Sequence, residues 1–488
     1  MKRPAQTSMK RFCITFSLIF LSFHVIAEYI LPIREYRAVW LTTLNNLDWP
    51  RTKANSPLEA EKQRKELTDI LDQLKNAGIN TVMFQTRVRG TVVYPSSIEP
   101  WDGALTGTPG KSPGYDPLAF AVEECHKRGM EIHAWVVAFS VCKIAAMKAL
   151  GNSALPRRRP ELCYRSEDQY LMDPGVPETG DYIAEICDEI AKNYDIDGIH
   201  LDYIRYPEHG IRFDDTKTYR RYGNGKNIKQ WRSENVTSVV RKIRSVLRAR
   251  KPWLRLSCSP VGKYADLPRQ SSKGWNARDA VSQDAVAWLN DGLMDVLFPM
   301  MYFDNQHFYP FAMDWKQRTK HGVVAPGLGI YLLHPREKDW NILQIQRQMN
   351  YMRQVGLGGY AFFRSKFLTD NVKGIYDWTC AYNRQPALTP AATSLDSIAP
   401  SIPNVTAHIR NHRVYLKWQP ADDDSSSPIY YNVYRIERDN LLPIALKIAE
   451  TFYTDAPALP ATMHKPYAVT AMDACGNESE PRVVCAEY

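Results

Sequence analysis

No Cys-x-x-Cys pair occurs among the nine cysteines, so the thiolate spacing of a structural zinc site is missing. No glycine-rich phosphate turn follows the first strand-like segment, which argues against a nucleotide-binding open sheet. No basic stripe suited to nucleic acid is present either. With 44% hydrophobic and 24% charged residues the chain is too apolar for disorder and too polar for an all-membrane architecture. A soluble globular protein with no metal and no cofactor is expected.

What is present begins with a leader. Lys2, Arg3, Lys10 and Arg11 precede an apolar run from Phe12 to Ala27 that ends in small residues, the pattern of a secretory signal peptide over residues 1–27. The run is interrupted by Ser17, Ser22 and His24 and is shorter than the roughly 20 residues a membrane span needs. No stable transmembrane segment is expected after cleavage, and the protein is expected to be exported, to the periplasm or the cell surface of a bacterium. Removing four positive charges and no negative ones takes the formal net charge from +9 to +5. Such a mild excess permits an acidic glycan or a cell-surface polymer as partner. Eight cysteines remain; Cys475 with Cys485 is one candidate disulfide, and several others fall in helical or strand patterns as buried thiols.

At 488 residues two or more domains are expected. From Tyr36 to Phe367 short β-branched or aromatic runs alternate with helical stretches, the pattern of a parallel sheet built from βα units. Strands are read at 36–44, 80–88, 131–139, 197–206, 255–261, 295–303, 323–331 and 359–366. Helices are read near 58–77, 116–129, 177–194, 234–250, 283–292, 313–321, 341–356 and 370–382. Eight pairs is the number that closes a (β/α)8 TIM barrel, here over residues 34–382. Residues 383–403 are rich in Pro, Ala, Ser and Thr and read as a linker.

Residues 404–488 carry alternating strands at 405–409, 413–418, 429–436, 443–449 and 466–472, the pattern of a small β-sandwich. Val414 to Trp418, then Tyr431 to Tyr434, then Tyr467 to Asp473, Gly476 and Ser479 resemble a fibronectin type III module in order and spacing.

In a TIM barrel the reactive groups sit at the C-terminal ends of strands and on the following loops. The fourth strand ends His200-Leu-Asp202-Tyr-Ile-Arg205-Tyr206. A carboxylate beside a guanidinium stays ionised at neutral pH, so Asp202 is the expected nucleophile or stabilising base; the alternative is that it only pairs with Arg205 or caps the next segment. Asp197 lies at the stabilising end of that strand and reads as structural. His200 shares the face of Asp202, either lining the site or satisfied in the core. Arg87, Arg89, Tyr94 and Trp101 supply planar donors and flat faces of the kind that hold sugars, although Trp101 could equally cover the core. Asp304, after the sixth strand, is the expected acid and Tyr302 lines the same mouth; Asp173 is the reserve acid or a helix cap. Trp40 and Asn45 complete the ring from the first strand.

The string Arg37 to Pro50, the loop from Tyr94 to Gly107, the segment from Gly114 to Leu118, His133-Ala-Trp135, and Asp197 to Pro207 resemble the family 10-like glycosyl hydrolases, once called a domain of unknown function. The resemblance spans about residues 34–380. It implies hydrolysis of a glycosidic bond in a glycan chain, either a polysaccharide or the glycan strands of peptidoglycan, and it adds Trp135 to the expected site. Members commonly carry two adjacent aspartates where this chain has Asp202-Tyr203, and an Asn-Pro-Tyr-Arg-like segment where it has Val136 to Phe139. The competing expectation is a glycan-binding envelope protein that keeps the groove on a degenerate hydrolase barrel.

Overall fold

The structure, a computed structural model, describes residues 33–487 except 209, 269, 271, 273, 438–439 and 457–464. The expected leader over 1–27 lies outside the described residues. One parallel sheet is formed by β1 (Tyr36–Leu41), β2 (Thr81–Arg87), β3 (Glu131–Val137), β4 (Gly198–Asp202), β5 (Arg255–Cys258), β6 (Val296–Leu297), β7 (Val323–Val324), β8 (Gly327–Leu328) and β9 (Gly359–Phe362). Its spatial order is β7-β6-β5-β4-β3-β2-β1-β9-β8. The sheet curls so far that its two end segments are separated in sequence by only Ala325 and Pro326. Ala325 N donates to Leu297 O on one side, and Ala361 N donates to Pro326 O on the other.

Eight principal helices alternate with these strands: α1 (Pro57–Asn76), α2 (Pro117–Lys127), α3 (Pro177–Asn193), α4 (Ile228–Arg250), α5 (Ala285–Asn290), α6 (Asn305–Arg318), α7 (Ile342–Gln354) and α8 (Ile375–Tyr382). The starts are chemically marked. Ser56 caps α1 by accepting from Glu59 N, with Pro57 in the first turn, and Asp116 caps α2 from Leu118 N and Ala119 N, followed by Pro117. Both pair a side-chain acceptor with a proline whose missing N–H would have been an orphan. The sixth helix starts earlier than its expected 313–321, because Asp304 supplies a cap and Pro310 is accommodated inside the helix.

Period-two alternation sorts the strand side chains. On β1, Tyr36, Ala38 and Trp40 point into the curl with Met83, Trp135, Val137, Val296 and Phe298, whereas Val39 and Leu41 face the helices. The packing is close enough that two glycines are obligatory. A Cβ at Gly198 would sit 3.0 Å from the His133 ring, and one at Gly359, where φ is +121°, would sit 2.1 Å from Tyr36 O.

A segment without a sequence expectation follows β3: Ser140–Lys143, Cys163–Ser166 and Gln169–Met172 form a three-stranded antiparallel sheet. The C-terminal part contains β10 (Val405–Arg410), β11 (Arg413–Trp418), β12 (Tyr430–Glu437), β13 (Asn440–Ile448), β14 (Phe452–Asp455), β15 (Tyr467–Met472) and β16 (Arg482–Val484). They make two antiparallel sheets, β10-β11-β14 and β13-β12-β15-β16, enclosing Val414, Trp418, Tyr431, Val433, Tyr467 and Val469.

Charged groups join the two parts at the N-terminal ends of the parallel strands. Lys447 of β13 lies 2.6 Å from Asp197 and 3.4 Å from Glu131, and Arg255 lies 2.5 Å from Glu131. Residues 383–403 run along this base, where Ala387–Leu388 pairs in parallel with Ile33–Arg34. The eight described cysteines are free: Cys475 is buried and Cys485 exposed, so the candidate pair between them does not form.

Candidate active site

The floor of the curl is a satisfied aromatic layer. Trp40 Nε1 donates to His200 Nε2 at 3.0 Å, and His200 Nδ1 meets Ser257 Oγ at 3.0 Å. Phe298 packs edge-on against both rings. Burial, reinforced by neighbouring His133, holds His200 far below its ordinary pKa, so the ring is neutral with both nitrogens engaged. Trp40 and His200 are therefore core residues beneath the site: of the two alternatives for His200 the satisfied core residue holds, whereas Trp40 was expected to line the mouth.

Above this floor stands Asp202, the last residue of β4 and 7% exposed. Its Oδ1 accepts from Tyr203 N at 2.8 Å. Burial raises its pKa, and the opposing influences of Arg205, Tyr203 N, Ser259 and Trp135 do not cancel that rise. Arg205 draws the carboxyl down as expected, but burial outweighs the guanidinium and the net direction is upward, the direction in which general-acid carboxyls are shifted.

Ser259 and Trp135 face the carboxyl and favour its charged form. Arg205 Nε is buried without a hydrogen-bond partner, which costs about 1–3 kcal/mol unless a ligand completes it. Tyr302 completes the wall, stacked on Phe363 at 5.3 Å and edge-on to Tyr331 at 5.7 Å. Its phenol is pushed far above its ordinary pKa by burial and then by Asp202, so it remains a donor.

Tyr203 holds a left-handed backbone with φ 51°, a conformation that costs a non-glycine residue roughly 1–2 kcal/mol. Its ring lies under the Arg205 guanidinium at 4.3 Å, with Trp275 on a second approach at 5.1 Å. Beside them opens a cavity of about 130 Å³ lined by Arg89, Gln169, Leu171, Tyr203, Arg205 and Glu208 among others. A larger cavity of about 790 Å³ lies by α3 and α4, bordered by Gly175 and Trp231, and includes none of the groups around Asp202.

The remaining expected residues fall elsewhere. Arg87 is fully buried and forked onto Glu99 at 2.8 and 2.7 Å, with further bonds to Val137 O and Ala138 O; it is a structural ion pair. Tyr94 donates to Glu189 of α3 at 2.9 Å, and the hydroxyl of Tyr206 accepts from Asn235 of α4 at 3.1 Å, so both phenols are consumed in packing. Trp101 is half-buried against the main core. Asn45 is exposed with φ 52°, and its neighbour Asn46 makes the loop's bonds, to Pro50 O and Ala104 O.

Both expected second acids are engaged in local hydrogen bonds. Asp304 caps α6, accepting from His307 N at 3.1 Å and meeting His307 Nδ1 at 2.8 Å, with a side chain 49% exposed. Partial burial raises its pKa, but His307 outweighs this and the net shift is downward. Asp173 is buried and accepts from Gly175 N at 2.9 Å and the Thr218 hydroxyl at 2.5 Å. It shapes the turn before α3, whose N-cap position is Val176. Sequence reasoning missed Ser259, just past the end of β5, and Glu208, which follows Tyr206-Pro207. The strand-end rule applied one strand further would have reached Ser259; nothing in the sequence marks Trp275.

A curled parallel sheet with helices on its outside and a buried carboxyl at a strand's C-terminal end defines a class of α/β proteins that place their chemistry at that mouth. The chain belongs to the glycosyl hydrolase-like 10 family, whose profile matches residues 35–335. It is 33% identical over 477 residues to "Glycosyl hydrolase YngK" of Bacillus subtilis (strain 168), covering 92% of each chain. It is 34% identical over 309 residues to "Glycosyl hydrolase DigH" of Escherichia coli (strain K12), covering 59% of this chain and 68% of that one. Among solved structures, an α-L-fucosidase (isoenzyme 2) from Paenibacillus thiaminolyticus aligns with TM-score 0.49 and 14% identity, over 72% of this chain and 49% of that one.

Proposed function

We propose that the chain is an exported glycoside hydrolase that cleaves glycosidic bonds in a glycan chain of the bacterial envelope, with Asp202 as the acid that protonates the departing oxygen. The observation that carries this reading is the Asp202 carboxyl, buried at a strand end among Trp135, Ser259 and Arg205, with its pKa shifted upward by burial. Trp135, Ser259 and Tyr302 are the groups that orient the sugar there. The second carboxylate that glycoside hydrolysis ordinarily requires is assigned to Glu208, which borders the adjoining cavity and lies 3.9 Å from Arg205. Asp304 is not proposed for that role.

The reading places this site on a closed (β/α)8 barrel, supported by the 323–328 stretch that bonds to both β6 and β9. The C-terminal part is assigned as a fibronectin type III module, supported by its three- and four-stranded sheets. Export rests on the leader-like residues 1–27; among the described residues no helix is long and apolar enough to cross a membrane.

Tyr203, where relatives commonly carry a second aspartate, favours the rival reading of a binding protein without chemistry. Incubation of the purified chain with peptide-free peptidoglycan strands and a panel of polysaccharides separates the two. New reducing ends from at least one substrate are expected; binding without release in every case leaves only the rival.

A further inference from the structure

We propose that the cavity beside Asp202 is a subsite for a carboxylate carried by the glycan. The inference rests on the glycan reading above and specifies which glycans the site selects. Two guanidiniums, Arg89 and Arg205, line the cavity against one carboxylate, Glu208. Arg205 is 6% exposed, and its Nε is buried without a partner. Its other polar contact is loose, 3.9 Å from Nη2 to Glu208. Its guanidinium carbon lies 4.3 Å from the Tyr203 ring centroid and 5.1 Å from that of Trp275.

Arg89 is half-buried on the same cavity and makes no hydrogen bond or ion pair among the described residues. Arginine matches a carboxylate through a planar fork of donors. A buried guanidinium with an idle N–H is costly to leave incomplete, and a second, unpaired guanidinium on the same wall makes an anion the complement. Gln169 and Ser140 border the same space and supply neutral polar groups. The cavity, about 130 Å³, opens directly beside Tyr203, the residue after Asp202. Glycans with free carboxylates, such as uronic acids or the lactyl group of muramic acid, are the expected ligands; neutral hexose chains are not.

The test uses the whole chain and calorimetric binding of peptide-free peptidoglycan strands, compared with the same strands after their carboxyls have been amidated. Wild type should bind the free-carboxylate strands about tenfold or more tightly than the amidated ones, the range for a hydrogen bond to a charged group. Arg89→Gln, at a half-buried position that tolerates change, should lose most of that preference while its far-ultraviolet dichroism stays unchanged. Arg205→Lys keeps the charge without the fork and should lose part of it. Equal binding of the two strand preparations by wild type, absence of binding to the free-carboxylate strands, or an unaltered preference in Arg89→Gln would overturn the proposal. Binding with the expected preference but without release of reducing ends would preserve the subsite and reject hydrolysis.

Discussion

Replacing Arg87 with methionine distinguishes a structural ion pair from a sugar-binding arginine. Arg87 and Glu99 have no exposed side-chain surface and share two hydrogen bonds of 2.8 and 2.7 Å. Arg87 also serves the carbonyls of Val137, the last residue of β3, and of Ala138 after it. Methionine fills much of the volume but leaves Glu99 buried with the Tyr182 hydroxyl, 3.0 Å away, as its remaining side-chain donor. Removing one partner of a buried pair costs about 3–5 kcal/mol, and two carbonyls losing their donor favour the upper end. Urea denaturation followed by tryptophan fluorescence should show a loss of that size. Arg87→Met combined with Glu99→Leu should recover a large share of it, because replacing a whole buried pair by apolar groups is often close to neutral. Unchanged stability together with weakened glycan binding would refute the assignment and restore Arg87 to the site.

Asp304→Ala should cost about 0.5–2 kcal/mol through loss of the α6 cap and leave the pH dependence of hydrolysis unmoved; a displaced limb would return Asp304 to the chemistry. Ser259→Ala removes a group that favours the charged form of Asp202, so the alkaline limb of the pH–rate profile should move to higher pH, and a downward move would contradict the assignment of Asp202 as acid. His126 is drawn down by burial, but Asp197, 2.9 Å away, outweighs this and raises its pKa. Its stabilising contribution is therefore full below the unfolded value near 6.5 and lost as pH rises through the higher folded value. Melting temperatures of wild type and His126→Gln should differ most at low pH and converge above it; a constant gap would exclude the ion pair as the cause.

The parallel strands were readable because their runs are continuous and apolar, and because glycines such as Gly78 and Gly129, both at positive φ, close the helices before them. The expected strand boundaries ran long, most clearly at 295–303, where only Val296–Leu297 keeps ladder geometry. The antiparallel insertion after β3 escaped notice because its strands are four residues each, too short to show a period. The position of Asp202 at a strand's C-terminal end was legible. Arg87 occupies a similar strand-end position, but its direction depends on Glu99, twelve residues away on a loop whose path the sequence does not reveal. Tyr94 and Tyr206 were misplaced for the same reason: their hydroxyl partners, Glu189 and Asn235, lie on helices far along the chain. The sign of the Asp202 shift was out of reach too, since Arg205 is adjacent in sequence while the burial that outweighs it comes from the whole mouth.

The most direct test of Asp202 as the proton donor is the rate of reducing-end release from peptide-free glycan strands by wild type and Asp202→Asn. The amide keeps the shape and cannot deliver a proton, so the rate should fall by about 10²–10⁴-fold while strand binding persists. A variant that releases reducing ends at the wild-type rate would contradict the account.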